Sequence, residues 1–101
     1  MILPDRYRQI LLDIFASADY PFEVWAYGSR VNGSAHEGSD LDLAIRSRDL
    51  TPLPGMVFNY LCDRIRNSNI PIIVELRDWA RLPESFHRNI TANHELLYSG
   101  F

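Results

Sequence analysis

The chain predicts a small α/β (α+β) fold, a mixed β-sheet covered by helices. Three observations point to it. Apolar residues recur at helical spacing in separate stretches, short β-rich runs alternate with those stretches, and 101 residues leave room for one core, so the whole chain, 1–101, is expected to form one domain.

The elements follow in order. Tyr7, Ile10, Leu11, Ile14, Phe15 and Ala18 form a helical stripe behind Pro4-Asp5, which predicts a helix over 4–18 that ends at Asp19-Tyr20-Pro21. Phe22 to Tyr27 reads as a strand buried on both faces. Residues 28–35 suit one or two helical turns, and 36–39 a loop. Leu41, Leu43 and Ile45 alternate with Asp40, Asp42 and Ala44 in a second strand. A Pro-containing connection over 47–55 leads to a helix over 56–66, whose stripe is Val57, Phe58, Leu61, Cys62 and Ile65. A third strand is expected over 71–76, a short helix from Pro83 through Ile90, and a last short strand over 95–98.

Composition excludes several classes. The net charge of −3 gives no reason to expect nucleic-acid binding. No apolar run approaches a membrane span, and Met1 to Arg6 lacks the plan of a signal peptide, so a cytoplasmic address is expected. Cys62 is the single cysteine, which leaves no disulfide or zinc framework and reads as a small core residue. All ten basic residues are Arg, whose planar fork suits phosphate and carboxylate, although a genomic bias gives the same composition.

The chemistry-bearing stretch begins at Gly28-Ser29. Ten residues, Arg30 to Ser39, separate this pair from Asp40-Leu41-Asp42. Two carboxylates on one face of a strand repel each other and call for a compensating cation; Mg²⁺ bridging Asp40 and Asp42 meets that need. A Gly-Ser turn between strand and helix exposes backbone N–H groups to phosphate oxygens. A phosphate cradle beside metal-binding carboxylates is the equipment of phosphoryl or nucleotidyl transfer. Glu75, the lone charge in the third apolar strand, is the expected third carboxylate; the competing reading is an edge-strand charge with its head in water. Asp78 is the alternative, expected beyond the strand end as a cap for the next turn. Arg30 either reaches the triphosphate or is a solvated charge at the helix start. Ser39 is assigned to loop stability. His36, His87 and His94 are not expected as metal ligands. Trp25, Trp79 and Phe86 are expected in the core, and Tyr27, which stands beside the motif and so within reach of a base, is assigned there as well.

Gly-Ser, ten residues and Asp-x-Asp together resemble the signature of the nucleotidyltransferase superfamily that includes DNA polymerase beta and kanamycin nucleotidyltransferase. The chain is similar to its smallest branch, the minimal nucleotidyltransferase (MNT) proteins. The tail Val74-Glu75-Leu76-Arg77-Asp78-Trp79-Ala80, followed by Phe86 and Ile90, resembles that branch's third strand and last helix, so the likeness runs from about Val24 to Tyr98.

The resemblance implies the nucleotidyltransferase fold and transfer of a nucleoside monophosphate, with ATP as donor and Mg²⁺ as cofactor. Gly28, Ser29 and Arg30 would hold the nucleotide, and Asp40, Asp42 and Glu75 would supply catalysis and metal ligation. It further implies a HEPN-domain ribonuclease toxin as partner, neutralised by adenylylation of a tyrosine, and hence an antitoxin, in a homo- or hetero-oligomer. One departure is that Glu75 stands where the family usually has Asp. Two rivals follow: a catalytically impaired module that blocks the toxin sterically, and an aminoglycoside-type small-molecule transferase. The second is disfavoured because the chain has no acceptor domain, so another polypeptide or a second subunit is expected to bring the acceptor.

Overall fold

The structure, a computed structural model, describes residues 1–36 and 38–101; Glu37, in the loop expected over 36–39, lies outside the described residues. Its elements run α1 (Asp5–Ser17), β1 (Phe22–Tyr27), α2 (Ser29–Asn32), β2 (Leu41–Ser47), α3 (Gly55–Arg66), β3 (Val74–Asp78), a 3-10 turn (Trp79–Arg81), α4 (Glu84–Ala92) and β4 (Glu95–Ser99). The four strands form one mixed sheet in the order β3-β2-β1-β4. β1 pairs antiparallel with both β2 and β4, and β2 pairs parallel with β3.

The register divides the residues of the sheet between two unlike faces. Phe22, Val24 and Ala26 of β1 stand on the same side as Leu41, Leu43 and Ile45 of β2, and all six are fully buried. Leu11, Ile14 and Phe15 of α1 and Leu61 and Ile65 of α3 complete this core. Phe15 meets Phe22 edge-on at 6.1 Å and lies 5.7 Å from Tyr98. The opposite face carries Glu23, Trp25 and Tyr27 of β1, Asp42, Ala44 and Arg46 of β2, and Glu75 and Arg77 of β3. A smaller cluster of Ala44, Trp79 and Ile90 covers only part of it.

Several expectations need correction. β1 is not buried on both faces: buried and half-buried residues alternate along it, because α4 and the 3-10 turn shield the second face incompletely. The third strand begins at Val74 rather than at 71, since Pro71 has no N–H to give a ladder, and it runs on through Asp78. Asp78 is therefore the last strand residue, and it is buried. Its carboxylate accepts from Leu53 N at 2.9 Å and from Ala80 N at 3.2 Å, so it caps the 3-10 turn as expected while pinning the 47–55 connection. Phe86, expected in the core, is 40% exposed.

Candidate active site

The spacing of the motif follows from the antiparallel pairing of β1 and β2. Tyr27 and Asp42 are register partners, so the chain leaves the sheet at Gly28 and returns beside its own departure point. Gly28 adopts φ +80°, ψ −156°, a backbone region open essentially to glycine alone. A Cβ built there would stand 2.5 Å from Asp42 Oδ2. The absence of a side chain at 28 is thus what lets the turn and the carboxylate lie against each other. Ser29 opens a helix of only four residues, too short for a sizeable macrodipole, so any anion affinity there must come from local N–H groups.

Register also explains how Glu75 reaches the site. Asp42 and Glu75 are direct partners across the parallel β2–β3 pair, on the incompletely covered face. Like charges directly opposite each other cost about 0.2–1 kcal/mol. Arg77, two residues along β3 and so on the same face, offsets that cost. Its Nη1 donates to Asp42 Oδ1 at 3.2 Å and to the Tyr27 hydroxyl at 3.0 Å, and its Nη2 lies 3.9 Å from Glu75 Oε2. Burial pushes the Tyr27 phenol pKa up, and the adjacent guanidinium offsets only part of that rise. For Arg77 burial works against the charge, but Tyr27 and Asp42 outweigh it and its pKa is raised.

The structure brings Asp42 and Glu75 together and leaves Asp40 apart. Asp40 precedes β2, is exposed, and lines a cavity of about 890 Å³ with Arg30, Tyr7, His36 and Ile73. Among the described residues, no three His, Cys, Asp or Glu side chains stand close enough to share a metal ion. Arg30 has partners other than those expected of it. It is buried, and its guanidinium donates to Ser39 O at 2.9 Å and Ile2 O at 2.6 Å, which ties the returning loop to the N-terminal segment. Ser39 Oγ accepts from His36 N, the loop role expected of it.

Sequence reasoning passed over Arg77 and placed Tyr27 in the core. The alternation that paired Asp40 with Asp42 would have put Arg77 beside Glu75, and so was signal enough for the first. Next to the carboxylates the same face holds a stack of rings. His94 lies on Trp25 at 3.8 Å, His87 on Trp79 at 4.0 Å, and Arg46 covers both tryptophans while pairing with Glu23 at 2.6 Å. These contacts account for both histidines without a metal role. Cys62 is half-buried, and burial raises its thiol pKa.

A four-stranded mixed sheet with a glycine turn abutting paired carboxylates defines a nucleotidyltransferase-type domain. The chain belongs to the family "Polymerase beta, Nucleotidyltransferase", which it matches over residues 9–100. It is 44% identical over 69 residues, 68% of this chain, to the probable protein adenylyltransferase MntA of Haemophilus influenzae. The match spans 59% of that relative's length. Its fold is similar to that of a toxin–antitoxin crystallised with AMP-PNP (TM-score 0.72, 17% identity, 91% of this chain and 73% of the other). It is also similar to a mutant of the toxin–antitoxin MntA-HpeT (TM-score 0.71, 15% identity, again 91% and 73%). A structure from Shewanella oneidensis has a TM-score of 0.68 at 15% identity, over 96% of this chain and 73% of that one. At these identities the structural likeness is one of fold. No helix among the described residues is long and apolar enough to cross a membrane.

Proposed function

We propose that this chain is a Mg²⁺-dependent protein adenylyltransferase that moves AMP from ATP to a hydroxyl of a partner protein, a tyrosine of a HEPN-type ribonuclease toxin, with release of pyrophosphate, and so acts as its antitoxin in the cytoplasm. The observation that carries this reading is the register pair Asp42–Glu75 beside the Gly28 turn. The 44% identity to a probable protein adenylyltransferase supports a protein as acceptor.

The residues suit magnesium. Carboxylate oxygens are the hard donors it takes, and the space between Asp42 and Glu75 already attracts a positive charge, the Arg77 guanidinium. Asp40, Asp42 and Glu75 are the proposed ligands: Asp42 and Glu75 already stand together, and Asp40 would have to swing in from the residue before β2 to join them; bound there, the ion would polarise the phosphate and offset its charge. Gly28 keeps the turn open for close approach of the phosphates, and Ser29 offers its backbone N–H and hydroxyl, with Arg30 holding the loop that returns to Asp40. Glu75, with its side chain 45% exposed, is reachable by an incoming hydroxyl and is the proposed acceptor of its proton.

A second reading is favoured by one observation: Arg77 already pairs both carboxylates, which suits a module that blocks its partner without chemistry. The test mixes the chain with a HEPN-type partner, Mg²⁺ and ATP and weighs the partner by mass spectrometry. The transferase adds AMP masses, and Glu75→Gln lowers the rate by about 10²–10⁴-fold while still co-purifying with the partner. An unchanged partner mass, with its ribonuclease nonetheless silenced, would establish the blocking module instead.

A further inference from the structure

Arg77 is held by groups that the proposed reaction also needs. It stands on the same face as Asp42 and Glu75, its side chain is 38% exposed, and it touches Oδ1 of Asp42, a carboxylate proposed above to hold the metal. A guanidinium and a divalent cation drawn to the same carboxylate repel each other at that range, so the two compete for Asp42. The Tyr27 hydroxyl accepts from the same Nη1 that reaches Asp42, so the arginine is anchored beside the carboxylates rather than trailing into water. Gly28, at the turn where phosphates are expected, is one residue from Tyr27 and against Asp42. An arginine displaced from Asp42 therefore starts beside the nucleotide's anionic end, and its planar fork suits phosphate oxygens.

From this geometry we propose that Arg77 is an internal counter-ion that a divalent cation must displace from Asp42, and that the displaced guanidinium then binds a phosphate of the nucleotide. The proposal rests on the nucleotidyltransferase reading above. It makes metal and nucleotide binding cooperative: metal alone competes with Arg77, whereas metal with triphosphate gives the arginine a new partner.

The experiment measures Mn²⁺ alone by electron paramagnetic resonance and Mg²⁺–ATP by calorimetry, in the full chain and in Arg77→Gln. Arg77→Gln should bind Mn²⁺ alone about three- to tenfold more tightly, since a competing, partly exposed ion pair is gone. The same variant should bind Mg²⁺–ATP more weakly than wild type. An arginine that merely supported the fold would not move the two affinities in opposite directions. Tyr27→Phe removes the anchor without altering charge; it guards against misfolding of the first variant and should tighten Mn²⁺ by a smaller factor. Mn²⁺ affinity unchanged or weakened in both variants overturns the proposal. If wild type binds Mn²⁺ and Asp42→Asn does not, that result still leaves the metal-site reading standing. If neither wild type nor Arg77→Gln binds Mn²⁺, the metal site and this proposal fall together. Tighter Mn²⁺ with unchanged Mg²⁺–ATP affinity overturns the transfer of the guanidinium to phosphate.

Discussion

The two faces of the sheet are built from the same strands by opposite means. One side is closed by Phe22, Val24, Ala26, Leu41, Leu43 and Ile45, all without exposed surface, under α1 and α3. The other is held by ion pairs, stacked rings and one small apolar patch around Ala44, and it leaves Asp42 and Glu75 open to solvent in part. The difference shows how the domain positions its charges. A slip of one residue in β2 would turn Asp42 into the core and Leu43 into water, so burial on the closed face fixes the register that brings Asp42, Glu75 and Arg77 together on the other. The apolar face does the positioning, and the polar face inherits it.

The sharpest way to break this comparison is one substitution on each side. Phe15→Ala removes a fully buried ring from the closed side and should cost about 3–5 kcal/mol of stability, measured by urea denaturation. Asp42→Asn should change stability by about 0.5 kcal/mol or less, because the amide oxygen still accepts from Arg77 and the site is partly solvated. It should nonetheless abolish the rise in melting temperature expected of wild type with Mg²⁺–ATP. If Asp42→Asn unfolds the protein, or keeps that rise, the division between a stabilising face and a ligand-binding face is wrong.

The sequence carried more of the closed face than of the open one, for a physical reason. Periodicity reports burial, so the helical stripes and the alternation of Leu41, Leu43 and Ile45 located α1, α3 and β2 within a residue or two. The Gly28-Ser29 and Asp40–Asp42 spacing marked the turn and the strand return, because the antiparallel register is written into the length of that excursion. Pairwise polar contacts leave no such period. Arg77 against Asp42 crosses 35 positions, and Arg30 donates to the backbone carbonyls of Ser39 and Ile2, contacts that no pattern of side chains announces. β3 was misplaced by three residues because the apolar run 70–74 begins before the ladder does; Ile73 takes part only through its carbonyl, which accepts from Leu41 N.

A smaller effect separates two glycines near the site. Gly28 and Gly33 both have positive φ, at +80° and +88°, but only Gly28 has Asp42 within reach of an added Cβ, while Gly33 faces open space. Gly28→Ala should cost about 1–3 kcal/mol in backbone strain and also push the Asp42 carboxylate aside, weakening Mg²⁺–ATP binding. Gly33→Ala, in the left-handed region, should cost about 1–2 kcal/mol and leave nucleotide binding as it is. Calorimetric titration of both variants checks this. Equal nucleotide affinities would mean that the Gly28 turn does not border the phosphates.

The smallest effect belongs to Tyr27, where the open face meets the cost of partial burial. Burial raises its phenol pKa above the ordinary value of about 10, with Arg77 offsetting part of the rise. The folded chain therefore keeps its proton at a pH where the unfolded chain has begun to lose it. Linkage then fixes the sign: the contribution is fully present below the unfolded pKa and is lost as pH rises through the folded one, so stability falls on the alkaline side. The useful quantity is the difference between two proteins that differ only at this residue. Wild type and Tyr27→Phe should melt with a constant offset from pH 7 to 9, set by the lost hydrogen bond from Arg77. Above about pH 10 the offset should shift in favour of Tyr27→Phe, because phenylalanine has no proton to lose. An offset that stays constant to pH 11 would mean that the phenolate is as well accommodated beside Arg77 as in water. The guanidinium would then fully offset burial at Tyr27, and the open face would be more polar around this residue than its contacts indicate.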